Sequence, residues 1–321
     1  MSVKPAWPGV TISPSRWVAL LIRPWRSLCI GSVSLLLGCG GVFFVPQGKL
    51  VATPGDFEVR YREVSIEPAP GVFLHGWFLP GKPPVGATIV FLHGNAQNIS
   101  YHQASVLWLP RRHFNVLLYD YRGYGRSGGV STVENAIEDF GAVMATVAKQ
   151  PEAAGRPVVV FGQSLGASLA IAAVARWQDR YPVAAVVLDS PFSDFRGIVR
   201  EKVSAVWWLR PVSIFVPVLI PGEPVLREDI AKLAPTPVLL IHGADDGIVP
   251  PQHSRLLYHA AGRPRELWIV PGARHIASLG KEAVRARLIA YLDRVLNTPP
   301  ASRQTPDTAR SRLSRPSGSR E

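Results

Sequence analysis

The sequence predicts an α/β protein, a mostly parallel sheet covered by helices on both faces, and three observations predict it. Short continuous apolar runs recur along the chain, the pattern of strands buried on both faces. Stretches of helical patterning lie between them. Glycine marks the junctions, most densely in "GQSLG" at 162–166. Buried strands alternating with helices place the helices on either side of one sheet.

Taken in order, "YREVSIEPAPGVFLHGWFLPG" (61–81) reads as two antiparallel strands about the turn Pro70-Gly71. "ATIVFLHGN" (87–95) and "FNVLLYDYRGYGRSGG" (114–129) are buried strands that run into glycine-marked loops. A helix is expected over about 133–149, with "STVE" from Ser131 to Glu134 as its capping box. The strand "RPVVVFG", a helix over 165–177 and the strand "VAAVVLDSPF" follow. Regular alternation then stops between Asp194 and Leu233, where "VWWLRPVSIFVPVLIPGEP" mixes tryptophans, aliphatics and prolines. Proline breaks this stretch too often for a membrane-crossing helix. The strands "TPVLLIHGADD" and "ELWIVPGARH" come next, each with a helix after it, the last over about 281–296. Residues 298–321 hold Ser, Pro, Arg and Thr with almost no large apolar side chain, which predicts a disordered basic tail.

Composition narrows the functional classes. Of the 321 residues, 47% are hydrophobic and 18% charged, enough to build a sizeable core. The net charge is +12, but the basic residues are dispersed and many sit in the two ends. No basic helix, RNA-binding aromatic signature or zinc-type cysteine spacing accompanies them, so no nucleic-acid partner is expected. The two cysteines, Cys29 and Cys39, both lie near the N-terminus. The remaining chain therefore has no disulfide, cysteine nucleophile or metal thiolate.

Lys4, Arg16, Arg23 and Arg26 precede the first acidic residue, Asp56. The uncharged stretch "SLCIGSVSLLLGCGGVFFV" (27–45) lies between them. A basic segment before an apolar one is the build of an export signal or a membrane anchor. "LLGCGG" (36–41) resembles a bacterial lipobox, and the resemblance implies a lipid-carrying Cys39 as the first residue of the mature protein. An uncleaved helix and a buried core helix are the alternatives. The expected organisation is an anchor or signal over 1–45, a catalytic domain over 46–297 and the tail, with the protein membrane-associated at the cell envelope.

A buried strand that ends in Gly162-Gln163-Ser164-Leu165-Gly166 and passes at once into a helix lifts one hydroxyl above the sheet. Small neighbours let the backbone double back. The first amides of the helix then point at whatever Ser164 attacks. This is the G-x-S-x-G nucleophile elbow.

With "FLHGN", "DYRGYGRSGG", "GQSLG", "LDSPF", "IHGADDGIVP" and "GARH", the chain resembles the α/β-hydrolase superfamily over about residues 61–296. The branch it resembles holds serine-aminopeptidase-like and monoglyceride-lipase-like hydrolases, including membrane-anchored esterases. The resemblance implies an eight-stranded, mostly parallel sheet with a short lid over about 194–233. It also implies the chain order serine, acid, histidine. A serine hydroxyl needs an imidazole to accept its proton, and the imidazole needs a carboxylate to orient it. Of eight histidines, His275 alone has the implied order and loop setting. The pattern His-Gly-x-x-Asp-x-x-Val-Pro selects Asp246 over Asp245, with Asp189 a further candidate. Asp189 and Asp120 also read as structural groups at strand ends. The backbone amides of Leu165 and Asn95, with Ala96 next, would form the oxyanion hole, and His93 would brace that loop.

These readings predict a serine hydrolase that cleaves carboxylic esters, thioesters or lipid esters, without metal or cofactor. Its partners would be a small acyl ester and, through the N-terminal segment, a membrane. A serine peptidase and a catalytically silent envelope binding protein are the alternatives.

Overall fold

The computed structural model describes residues 43–298 apart from 206, 208–210 and 212–223. Eight strands form one sheet in the order β1-β2-β4-β3-β5-β6-β7-β8. They are β1 (Arg62–Ala69), β2 (Val72–Leu79), β3 (Ala87–Leu92), β4 (Phe114–Tyr119), β5 (Val158–Gln163), β6 (Ala185–Asp189), β7 (Val238–Gly243) and β8 (Arg265–Val270). β1 and β2 pair antiparallel about Pro70-Gly71, and β2 pairs antiparallel with β4. Every pairing from β4 through β3 to β8 is parallel. The expected fold class is the one observed.

The alternation of strand side chains divides the core into two layers. Val90, Leu92, Leu117, Val160, Leu188 and Leu240 face one side, packed against α2 (Val133–Ala148) and α3 (Leu165–Trp177). Ile89, Phe91, Val116, Phe161, Val187 and Ile241 face the other. There they meet Ile99 of the single turn α1 (Ile99–His102) and the apolar side of α7 (Glu282–Asn297). Helices α4 (Phe195–Ala205), α5 (Leu226–Lys232) and α6 (Gln252–Ala260) complete the set among the described residues.

Two local expectations shift. The cap of α2 falls on Thr132, whose Oγ1 accepts from the Asn135 amide at 3.0 Å. Ser131 is taken by the preceding loop, where its hydroxyl donates to the Arg122 carbonyl. The core also takes in Phe43 and Phe44, which the sequence groups with the apolar segment: both side chains are buried. The earlier part of the N-terminal segment, with Cys29 and Cys39, lies outside the described residues, as does the tail beyond Thr298. Among the described residues no helix is long and apolar enough to cross a membrane.

The tightest packing lies where β5 turns into α3. A Cβ on Gly166 would sit 2.1 Å from the Leu92 carbonyl oxygen, and one on Gly162 would sit 2.4 Å from the Gly166 carbonyl oxygen. Both obstacles are backbone, with no side chain free to move aside. Gly166→Ala is expected to cost about 3 kcal/mol of stability, at the upper end of overpacking effects. Urea denaturation measures this, and an unchanged midpoint would contradict the packing argument.

Candidate active site

Four loops leave the carboxyl ends of β3, β5, β7 and β8 on one rim of the sheet, the edge where open α/β sheets take ligands. β5 delivers Ser164. Its backbone sits at φ 55° and ψ −119°, a sparsely populated region for a residue with a side chain. The Ser164 amide donates to the Asp189 carbonyl at 2.8 Å, and its own carbonyl accepts from Ala167 and Ser168. The turn is thus held from both sides while the side chain points outward.

Ser164 Oγ lies 2.9 Å from His275 Nε2, and His275 Nδ1 lies 2.7 Å from Asp246 Oδ2. A carboxylate can only accept, so Nδ1 carries the ring proton and the bare Nε2 accepts the serine hydroxyl. The loop bearing His275 is tied to the acid's loop by the Asp245 amide, which donates to Ala273 O at 2.9 Å.

Asp246 is buried. Its Oδ1 accepts from the amides of Ile248 and Val249, each at 2.9 Å. Its Oδ2 also faces His242 Nε2 at 3.2 Å. His242 Nε2 donates to Val249 O at 2.8 Å, which leaves Nδ1 to accept from the Ser254 hydroxyl at 2.6 Å. Burial by itself would raise the Asp246 carboxyl. Hydrogen bonds from His242, His275 and the Val249 amide outweigh it and hold the group well below the ordinary carboxylate range. His242 opens the His-Gly-x-x-Asp pattern that picks out Asp246, yet the sequence alone assigns it no role of its own.

The other carboxylates fall elsewhere. Asp245 is exposed. Asp189 is buried and accepts from Gln163 Nε2 at 3.1 Å, and Asp120 accepts from the Ile99 amide at 2.8 Å. Burial raises both carboxyls above the ordinary value.

Asn95 and Leu165 flank Ser164 at the mouth of one pocket. Among the described residues neither backbone amide has a hydrogen-bond acceptor. The Ala96 amide is occupied by Asn95 Oδ1 at 2.6 Å, so of the two neighbouring loop amides Asn95 is the free one. His93 stands behind this loop, fully buried, its Nδ1 donating to Gly94 O at 2.7 Å and its ring 4.3 Å from that of Tyr121. Burial, reinforced by the adjacent His102, holds His93 far below its ordinary value and keeps it neutral. The pocket, of about 350 Å³, is walled by Phe43, Phe192, Val249 and the α4 residues Ile198, Val199 and Val203, with Lys202 at its side. Thus α4, in the stretch expected to be a lid, supplies one wall; much of the remaining stretch lies outside the described residues. Among the described residues no three His, Cys, Asp or Glu side chains are gathered as metal ligands.

The chain is 32% identical over 262 residues to YfhR of Escherichia coli (strain K12), covering 79% of this chain and 87% of that protein. It is 28% identical to the α/β hydrolase domain-containing protein WAV2 of Arabidopsis thaliana, covering 76% and 83%. The solved esterase Pf2001 of Pyrococcus furiosus superposes with a TM-score of 0.63 at 23% identity, covering 78% of this chain and 98% of that one. That last likeness concerns the fold. The chain belongs to the α/β-hydrolase family. Within it, residues 83–234 match the family described as serine aminopeptidase, S33.

A carboxyl whose folded-state value lies below its ordinary 3.8 stabilises the fold fully above that value and loses its contribution as the pH falls below it. The destabilisation caused by Asp246→Asn should therefore be largest above about pH 5 and shrink towards about pH 3. Denaturant titrations of both proteins across that range measure it, and a pH-independent difference would contradict the assignment.

Proposed function

We propose that the protein is a serine hydrolase that cleaves carboxylic esters, thioesters and lipid esters among them, through an acyl-enzyme. One observation carries the reading: the unbroken hydrogen-bonded line from the Ser164 hydroxyl through His275 to the buried Asp246 carboxylate. Ser164 Oγ attacks the acyl carbon while His275 Nε2 takes its proton, and Asp246 fixes the tautomer and balances the imidazolium. The tetrahedral oxyanion forms against the amides of Asn95 and Leu165. His275 then returns the proton to the leaving oxygen or sulfur, and water repeats the sequence to free the acid.

The matched family's description raises an aminopeptidase as a second reading. Recognition of a substrate's ammonium group calls for a carboxylate beside the nucleophile. The pocket walls among the described residues are apolar, and the one charged side chain there, Lys202, is a cation. That lining fits an acyl chain and repels an amine. A binding-only envelope protein, in turn, has no use for a strained elbow aligned with a base and its acid.

The charge-free stretch behind four basic residues supports placing the hydrolase at the cell envelope, held by lipid on Cys39. Incorporation of radiolabelled fatty acid by wild type and its loss in Cys39→Ala is the expected outcome; equal labelling of the two removes the lipid anchor. For the chemistry, Ser164→Ala should lower p-nitrophenyl ester hydrolysis by about 10⁴-fold or more and abolish fluorophosphonate labelling. Turnover that survives this change rules Ser164 out as nucleophile.

A further inference from the structure

The segment 43–52 runs across the rim and is stitched to the loops that flank Ser164. Phe43 lines the pocket and packs edge-on against Phe195, at the start of α4, with ring centroids 5.0 Å apart. Phe44 packs edge-on against Tyr121 and Tyr124. The Val45 amide is shared between Asn95 Oδ1 at 3.0 Å and the Tyr124 hydroxyl at 2.9 Å. That hydroxyl donates to Asn95 Oδ1 at 2.8 Å. Burial raises the Tyr124 phenol above its ordinary value, so it stays protonated and remains a donor. Further along, Gln47 O accepts from the Gly125 amide and from Asn98 Nδ2, and Val51 N donates to Ser100 Oγ.

The side-chain oxygen of Asn95 therefore gathers three donors: the Val45 amide, the Tyr124 hydroxyl and the Ala96 amide. The residues just after it, Ala96 and Gln97, both have left-handed backbones, with φ 62° and 70°. Such a loop keeps its shape only where surrounding contacts over-determine it. Here those contacts come from the strap, from Tyr124 and from His102, whose Nε2 lies 3.2 Å from the Ala96 carbonyl oxygen, and the amide they leave free is that of Asn95.

We propose that this strap is a working part of the site. Phe43 is a specificity-determining wall of the acyl pocket. Tyr124 and the Val45 amide, acting through the Asn95 side chain, position the Asn95 backbone amide against the oxyanion. This inference rests on the serine-hydrolase reading above. Phe43 limits how far an acyl chain extends past the nucleophile. Tyr124 acts only in the transition state, because the donor it positions meets charge only there.

The test uses the full-length chain and p-nitrophenyl esters from acetate to dodecanoate. Phe43→Ala should raise the ratio of kcat/KM for long over short esters by about tenfold, and Phe43→Trp should lower it by a similar factor. Phe43→Leu, which keeps apolar packing, should shift the ratio in the same sense as Ala but less, and guards against a misfolded alanine variant. Tyr124→Phe should lower kcat by about tenfold while KM stays within about twofold. Ratios that stay parallel to wild type in all three Phe43 variants overturn the pocket-wall role. An unchanged kcat in Tyr124→Phe, or a loss confined to KM, overturns the positioning role. Both failures presuppose turnover that Ser164→Ala abolishes; turnover that survives Ser164→Ala would instead overturn the hydrolase reading and this inference with it.

Discussion

Everything at the rim depends on how closely α3 approaches β3 at the Ser164 turn. The helix can start one residue after the strand ends only because Gly162 and Gly166 present no Cβ to the backbone beside them. At Gly166 that backbone is the end of β3, whose loop carries Asn95. The contact that permits the elbow therefore also sets the distance between the hydroxyl and the loop expected to receive the oxyanion. A longer turn would relax Ser164 and separate the two. The strain of the φ 55° backbone is balanced by hydrogen bonds from both flanks, including the Asp189 carbonyl at the end of β6.

The second constraint is electrostatic. A carboxylate without water is costly unless each oxygen is met by donors, and Asp246 is met by two backbone amides and two imidazoles. His242 matters here through its tautomer. With Nδ1 engaged by the Ser254 hydroxyl, its proton sits on Nε2, between Val249 O and Asp246. The acid is thus fixed by its own loop, by the strand behind it and by the histidine it orients. The buried carboxyls of Asp120 and Asp189 lack that donor set, and burial raises them. Asp246 is held as an anion by its donor set, and that set is the physical difference between it and the strand-end acids.

What the sequence made legible was local. Continuous apolar runs mark β3 to β7 because both of their faces are buried, and the glycine frame of Ser164 reports a close approach between backbones. The choice of Asp246 over Asp245 was legible only by resemblance, since two adjacent carboxylates look alike until one turns inward. His242, Tyr124 and the strap were not legible as parts of the site. For Tyr124 and the strap the partners lie far along the chain, as in the Val45–Asn95 and Val45–Tyr124 contacts, separated by 50 and 79 residues; His242 stands only four residues from Asp246, but nothing local marks its ring as turned towards that carboxylate. No periodicity encodes such a pairing. The apolar character of Phe43 and Phe44 also pointed elsewhere, because they end a stretch whose composition suits a membrane as well as a core.

By composition residues 43–45 suit a membrane segment, while Phe43 and Phe44 sit in the core. If Cys39 carries lipid, it stands four positions before Phe43, and covalent geometry limits the span between them to about 14 Å. An anchor so near the wall of the pocket would favour substrates that already reside in a bilayer, by raising their effective concentration at the site. The same shortness would restrain the strap, since a tether attached four residues before Phe43 would limit how far that ring could leave Phe195. Anchor, pocket wall and oxyanion loop would then form one mechanical unit. Its stiffness would come from a few hydrogen bonds about Asn95 and from two phenylalanines shared between the chain's entry and its core.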